Sequence, residues 1–323
     1  MKLSALAISC VLLLGGSVAV LAAGDPLSSW EDGAAKEKIL GFVESVTTEG
    51  GASFVPEEER IAVFDIDGTL WSERPYYSDA QFAADRVKAL SNEHPEWAKQ
   101  LPFAPIVKGD YEVLNHIASA DFVRMMAAAR NGADNEEFHR VVQEWVDSVE
   151  NPVKKRPQSK LTYQPMLELL SFMKDKGFKN YLVTGADEEY VRAISEQIYQ
   201  VPREQVIGAG LAVSVKETDE GVTVTRLPEV GVDNNGPGKV VQIGEVVGRK
   251  PIFAAGNSDG DFYMMRWATT GAGPSMAVLV LHDDPDREFP ASRPKKAGAG
   301  VDTLPNWVGI SMKDDWSTVY PAD

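Results

Sequence analysis

The chain has 323 residues, 44% hydrophobic and 25% charged, with a formal net charge of −16. This is an ordinary globular composition with enough chain to bury a sizeable core. The negative charge argues against nucleic acid or an anionic membrane as partner, since both are densely negative. It leaves a phosphorylated small molecule open, because a local site can be positive on an acidic protein.

The N-terminus differs in kind from the rest. Lys2 is followed by an apolar run over 3–21, then Ala22, Ala23, Gly24, Asp25 and Pro26. A basic start, an apolar middle and small residues before a polar break describe an export signal over 1–23, cleaved near Ala22 or Ala23. The rival is an uncleaved anchor, since about 20 apolar residues just span a bilayer. Gly15, Gly16 and Ser17 within the run favour cleavage, giving a periplasmic or secreted protein with no stable membrane insertion afterwards. Cys10, the only cysteine, lies in this run. The mature chain therefore has no disulfide, no thiolate nucleophile and no Cys-ligated metal.

Residues 24–58 read as a lead-in with one amphipathic helix at 35–46. Ile61, Ala62, Val63 and Phe64 form a short apolar run of the kind found in a strand buried on both faces. Similar runs recur at 181–183, 252–255 and 277–281, with a weaker one at 307–310. Helical patterns at 166–176 and 188–200 alternate with them, which predicts a parallel α/β sheet. From 78 to 160 only helical patterns appear, at 80–90, 122–130 and 136–149. The division expected is a core of 24–77 and 161–323 with 78–160 inserted as a helical cap over the carboxyl edge of the sheet, where ligands of open α/β sheets bind. A small hairpin is expected at 212–225.

The first strand ends in Phe64-Asp65-Ile66-Asp67-Gly68-Thr69-Leu70. Two carboxylates one residue apart beyond a buried strand are costly to hold together without a cation, and Gly68 permits a sharp turn. The physical reading is a nucleophile–acid pair: Asp65 attacks phosphorus, and Asp67 protonates the leaving alkoxide and later activates water. A turn-forming Asp/Gly loop is the bland alternative.

The string Asp65-Ile66-Asp67-Gly68-Thr69 resembles the first motif of the haloacid dehalogenase superfamily, in the form carried by its phosphatases, with the phosphoserine-phosphatase-like branch nearest. The resemblance implies a Rossmann-like parallel sheet with helices on both faces and an inserted all-helical cap, and three further motifs in order. The second is Thr184 with Gly185, whose hydroxyl and amide would bind phosphate; alone, Thr184 could equally cap the following helix. The third is a lysine that pins the nucleophile: Lys239 in Gly236-Pro237-Gly238-Lys239, with Lys250 the competitor. The fourth is Gly256-Asn257-Ser258-Asp259-Gly260-Asp261, which departs from the branch in having Asn257 where Asp is usual.

The implied function is Mg2+-dependent hydrolysis of a small phosphorylated substrate through an aspartyl-phosphate. Magnesium would be held by Asp65, the Asp67 carbonyl, Asn257 and Asp261, the last directly or through water, with Asp259 able to compensate for Asn257. Asp67 distinguishes a phosphatase from the family's dehalogenases, whose halide leaving group needs no proton. Glu73 and Arg74 either contact the leaving group or form a surface ion pair. His94, His116, His139 and His282 are scattered without metal-ligand spacing. The alternative from another class is a binding protein for phosphorylated ligands, its catalysis lost with the charge missing at Asn257.

Overall fold

The computed structural model describes residues 24–219 and 221–322. The expected export signal and Cys10 lie outside the described residues. Among the described residues no helix is long and apolar enough to cross a membrane.

The strands are β1 (Ile61–Phe64), β2 (Lys179–Asp187), β3 (Val206–Thr218), β4 (Gly221–Val232), β5 (Phe253–Gly256), β6 (Met276–Leu281) and β7 (Trp307–Ser311). They form a seven-stranded sheet in the order β4-β3-β2-β1-β5-β6-β7. All neighbours are parallel except the β3–β4 hairpin. The sheet is therefore α/β and mostly parallel, as the alternating pattern predicts. β1 is central because all four of its residues are apolar and fully buried. Each such side chain removed from water contributes about 1.5–3 kcal/mol.

Successive side chains of a strand point to opposite faces, and here each face has its own core. Ala62, Phe64, Phe253 and Val278 join Ile39 and Val43 of α1 (Ala34–Thr47) and Leu169 and Met173 of α6 (Gln164–Asp175). Val63, Val183 and Ala254 face Ile243 of α8 (Pro237–Val247), Met264 and Met265 of α9 (Phe262–Ala268), and Ala297 of α10 (Lys295–Thr303). The C-terminal Trp316 is buried against Trp30 and Tyr163, which ties the lead-in to the tail.

Between β1 and β2 the chain forms α2 (Ser78–Leu90), α3 (Phe103–Val107), α4 (Ser119–Arg130) and α5 (Asn135–Ser148). The hairpin expected at 212–225 is longer than its alternation suggests. The first residues of β3, Val206 and Ile207, pair in parallel with Leu182 and Val183, and the strand then leaves the sheet as an antiparallel arm with β4. That arm packs on α4, so β-structure stands beside the helices above the sheet. The exposed valines 213, 215, 222 and 224 on the arm produce the alternation but not the burial.

Glu189, in the first turn of α7 (Glu188–Tyr199), joins these parts. Its carboxylate meets His139 Nε2 of α5, Arg192 Nη1 of its own helix and Arg226 Nη2 of β4, each at 2.9 Å. Nearby, Arg130 at the end of α4 pairs with Asp187 at the end of β2 at 3.1 Å, its guanidinium 3.8 Å from the Phe138 ring centroid.

Candidate active site

β1 delivers Asp65 to the carboxyl edge of the sheet, and its backbone amide donates to Ala255 O of β5 at 2.9 Å. The chain then turns. Gly68 has φ +75°, and a Cβ there would overlap the Asn257 amide, so residue 68 needs both the left-handed conformation and the missing side chain. The turn is held from both sides: Gly68 N donates to Trp71 O at 2.9 Å, and His282 Nε2 donates to Gly68 O at 2.7 Å. Trp71 is fully buried, and its indole N–H donates to Asp67 Oδ1 at 2.8 Å.

Lys239 sits in the first turn of α8, 2% exposed. All three of its ammonium protons have partners: Asp65 Oδ1 at 2.6 Å, Asp261 Oδ1 at 2.7 Å and Val183 O at 3.0 Å. Asn234, fully buried, donates to Thr184 O at 2.8 Å and Ile207 O at 2.9 Å, anchoring the loop that leads into α8. Lys250, the sequence competitor, donates to Thr270 O on the surface, away from Asp65.

The fourth motif divides its labour. Asp261 accepts from Lys239 through Oδ1, while its Oδ2 accepts from Asn257 N, Ser258 N and Ser258 Oγ at 3.0–3.1 Å. Asp261 thus fixes Lys239 and the loop, with Oδ2 taken up by three donors and Oδ1 accepting from the ammonium alone. Asp259 departs from expectation: it caps the N-terminus of α10, accepting from the amides of Lys295, Lys296 and Ala297 at 2.7–3.2 Å. It does not compensate for Asn257.

Thr184 is fully buried, and its Oγ1 accepts from Ala186 N at 3.0 Å. Thr184 itself is not among the residues lining the cavity. Gly185 and Ala186 line the cavity in its place. Of the two flanking candidates, Glu73 lines the cavity with an 11% exposed side chain. Arg74 stands at the rim, half exposed, its Nε 3.8 Å from Glu73 Oε1. Asp79 at the start of α2 also lines the cavity, together with Tyr77, Phe122 and Asn235. No local motif marks these four: the folding of α2 and α4 over the sheet brings Tyr77, Asp79 and Phe122 there, and the loop before α8 brings Asn235.

The site carries more carboxylate than cation. Burial and then the Asp261 charge push Asp65 up to about 8, against the pull of the Lys239 ammonium. Burial, then Asp79 and Glu73, push Asp67 up to about 7 despite the Trp71 hydrogen bond. Burial would lower Lys239, but Asp261 and Asp65 more than reverse that and hold it above its ordinary value.

The residues present fit a hard divalent cation. Asp65 Oδ2, the Asp67 carbonyl and the Asn257 amide converge: with its nitrogen toward the strand tip, Asn257 donates to Asp67 O at 3.1 Å and Asp65 Oδ2 at 3.3 Å. Turned over, the amide presents its oxygen there, within 3.3 Å of Thr69 Oγ1, and its nitrogen toward Glu73. Among the described residues no three His, Cys, Asp or Glu side chains cluster as ligands. One carboxylate, one carbonyl and one amide oxygen suit magnesium, which keeps several waters. With its nitrogen facing them instead, the same amide satisfies those oxygens by hydrogen bonding.

The family model described as haloacid dehalogenase-like hydrolase matches residues 62–266. The chain belongs to that family. No curated protein matches. Among solved structures, a conserved functionally unknown protein from Anaerococcus prevotii DSM 20548 is similar at 15% identity and TM-score 0.54, over 84% of this chain and 90% of that one. At that identity the likeness is one of fold. A protein with unknown function from Bordetella pertussis Tohama I gives 14% and 0.48 over 78% and 98%. A phosphoserine phosphohydrolase-like protein from Francisella tularensis subsp. tularensis SCHU S4 gives 16% and 0.37 over 77% and 94%.

Proposed function

We propose that the chain is an exported phosphomonoester hydrolase that works through a phosphorylated Asp65 with bound Mg2+. The observation that carries this reading is Lys239 held between Asp65 at 2.6 Å and Asp261 at 2.7 Å in the lining of a cavity of about 330 Å3. Export is inferred from the signal-like run over 1–23.

One Asp65 carboxylate oxygen attacks phosphorus in line while Asp67 gives its proton to the departing alkoxide; the Asp65 O–P bond forms as the P–O bond to the leaving group breaks. Water then attacks the phosphorylated Asp65, its proton passes to Asp67, and phosphate leaves. The transition state spreads charge over the equatorial phosphoryl oxygens. Lys239 and the amides around Gly185 answer part of that charge in a water-poor cavity. Magnesium, held by Asp65, the Asp67 carbonyl and the Asn257 amide oxygen, would supply further positive charge there. The helices over 78–160, with the β3–β4 arm beside them, serve as the lid.

The test is hydrolysis of p-nitrophenyl phosphate by the mature protein with and without Mg2+, followed by acid quench and peptide mapping for phosphate on Asp65. Turnover that needs Mg2+ and is lost in Asp65→Asn supports the reading. Folded, metal-saturated protein without turnover at any pH from about 5 to 9, the span between ordinary carboxylate and lysine titration, leaves the phospho-ligand binder instead.

A further inference from the structure

The cavity beside Asp65 has two chemically different ends. At the sheet end are Asp65, Lys239, Asp261 and the Gly185–Ala186 backbone. The rest of the lining comprises the Tyr77 and Phe122 rings and the aliphatic Leu114 and Ile117, with Glu73 and Asp79 as further charged groups, Glu73 also facing the Asn257 amide and Asp79 acting on Asp67. Lys239 is the only basic side chain lining the cavity among the described residues, and it is spent on Asp65 and Asp261. Five carboxylates (Asp65, Asp67, Glu73, Asp79 and Asp261) therefore face one ammonium. With Asp67 carrying the proton it donates as the acid, four of these are charged; a divalent cation would bring the positive charge to three and leave one carboxylate over, before a phosphate dianion adds more.

The surplus falls on the leaving-group end. Asp79, 5% exposed, accepts from the Asp187 amide at 3.0 Å, and no basic side chain pairs with it among the described residues. The Arg130 guanidinium is committed to the Asp187 carboxylate and does not neutralise Asp79. Glu73 has the half-exposed Arg74 as its basic neighbour, at 3.8 Å. An anionic leaving group would sit against this negative end without a partner, and a neutral polyol would leave aromatic and aliphatic walls unused. A positive charge carried on a small apolar body satisfies both, since ammonium groups are attracted to aromatic faces and to carboxylates alike. The volume, about 330 Å3, lies at the low end of the ~300–1,000 Å3 usual for ligand pockets, which suits a phosphoryl group with a leaving group of a few heavy atoms.

We infer that the substrate is the phosphate ester of a small cationic alcohol, its ammonium group seated between Glu73, Asp79 and the Tyr77 and Phe122 rings. This rests on the phosphatase reading above and names the substrate class for the same site.

The test compares kcat/KM for choline phosphate with that for neohexyl phosphate, which has the same shape with carbon in place of the charged nitrogen, and for phosphoglycolate, whose leaving group is anionic. p-Nitrophenyl phosphate serves as the reference ester. The expected result is a preference for choline phosphate over neohexyl phosphate on the order of tenfold, with phosphoglycolate poorest. Glu73→Gln and, separately, Tyr77→Leu should each shrink the choline-to-neohexyl ratio several-fold, and Tyr77→Phe should restore it; a ratio is insensitive to a general loss of activity. Hydrolysis of p-nitrophenyl phosphate with equal rates for the charged and neutral esters, or with phosphoglycolate preferred, overturns the inference and leaves the phosphatase reading standing. No hydrolysis of any ester overturns both.

Discussion

Asp261 holds Lys239 in place: its Oδ1 accepts from the ammonium at 2.7 Å, while its Oδ2 is fixed by the amides of Asn257 and Ser258 and the Ser258 hydroxyl. The lysine is thereby aimed at Asp65 by a carboxylate that is itself rigidly held. A buried ammonium on a long side chain keeps one position only when its partners are fixed.

Lys239→Met should therefore remove both function and stability. Two buried carboxylates lose their shared cation, at a cost of about 3–5 kcal/mol for breaking a buried pair, reduced to the extent that Asp65 takes up a proton. Urea unfolding should show the loss at neutral pH, and turnover of p-nitrophenyl phosphate should fall to background. A variant as stable as the parent would refute the role given to Lys239.

Asp67→Asn removes the proton donor without changing shape. General acid catalysis contributes about 10²–10⁴-fold, and a poor leaving group depends on it most. Alkyl phosphates should lose that factor in kcat, while p-nitrophenyl phosphate, whose leaving group needs little help, should lose much less. Equal losses on both esters would argue that Asp67 does not protonate the leaving oxygen.

Asn257→Asp should exchange one kind of stability for another. The amide can donate to Asp67 O and Asp65 Oδ2; a carboxylate there cannot, and adds charge to a site already rich in it. In chelator the variant should melt several degrees below the parent. With Mg2+ its thermal shift should be larger and should saturate at lower concentration, on the order of tenfold, because an added carboxylate strengthens binding of a hard cation. Unchanged Mg2+ dependence would show that residue 257 does not face the cation.

Glu189 gives the pH prediction. Burial alone would raise its pKa, but the hydrogen bonds from His139 and Arg192 and the Arg226 charge hold it down to about 2. A carboxylate whose folded pKa is depressed contributes stability that is present above its unfolded pKa of about 4.3 and lost as pH falls toward 2. Glu189→Gln should cost about 2–3 kcal/mol at pH 7, and the difference between variant and parent should narrow as pH falls below about 4. A gap that stays constant with pH would mean the ion pairs are not its source.

The sequence alone made most of the sheet and the family's motifs at its edge legible. Buried parallel strands must be short and apolar, so β1, β5 and β6 are visible as runs, and Asp65-Ile66-Asp67-Gly68 stands out because two acids and a glycine follow such a run. Lys239 and Asn257 were legible only through their order after that motif. Other features were decided by packing. β3 buries Val206, Ile207 and Leu211 but breaks that run with Gly208, Ala209 and Gly210 before its exposed arm, so its local pattern describes the arm and hides the strand. Asp259 and Asp261 are two residues apart, yet one caps α10 and the other fixes Lys239; equal chemistry at nearby positions is separated only by where the backbone points each side chain. The part of the cavity lining given by Tyr77, Asp79 and Phe122 is assembled from α2 and α4, and residues so far apart in the chain acquire a common field only once the fold closes over them.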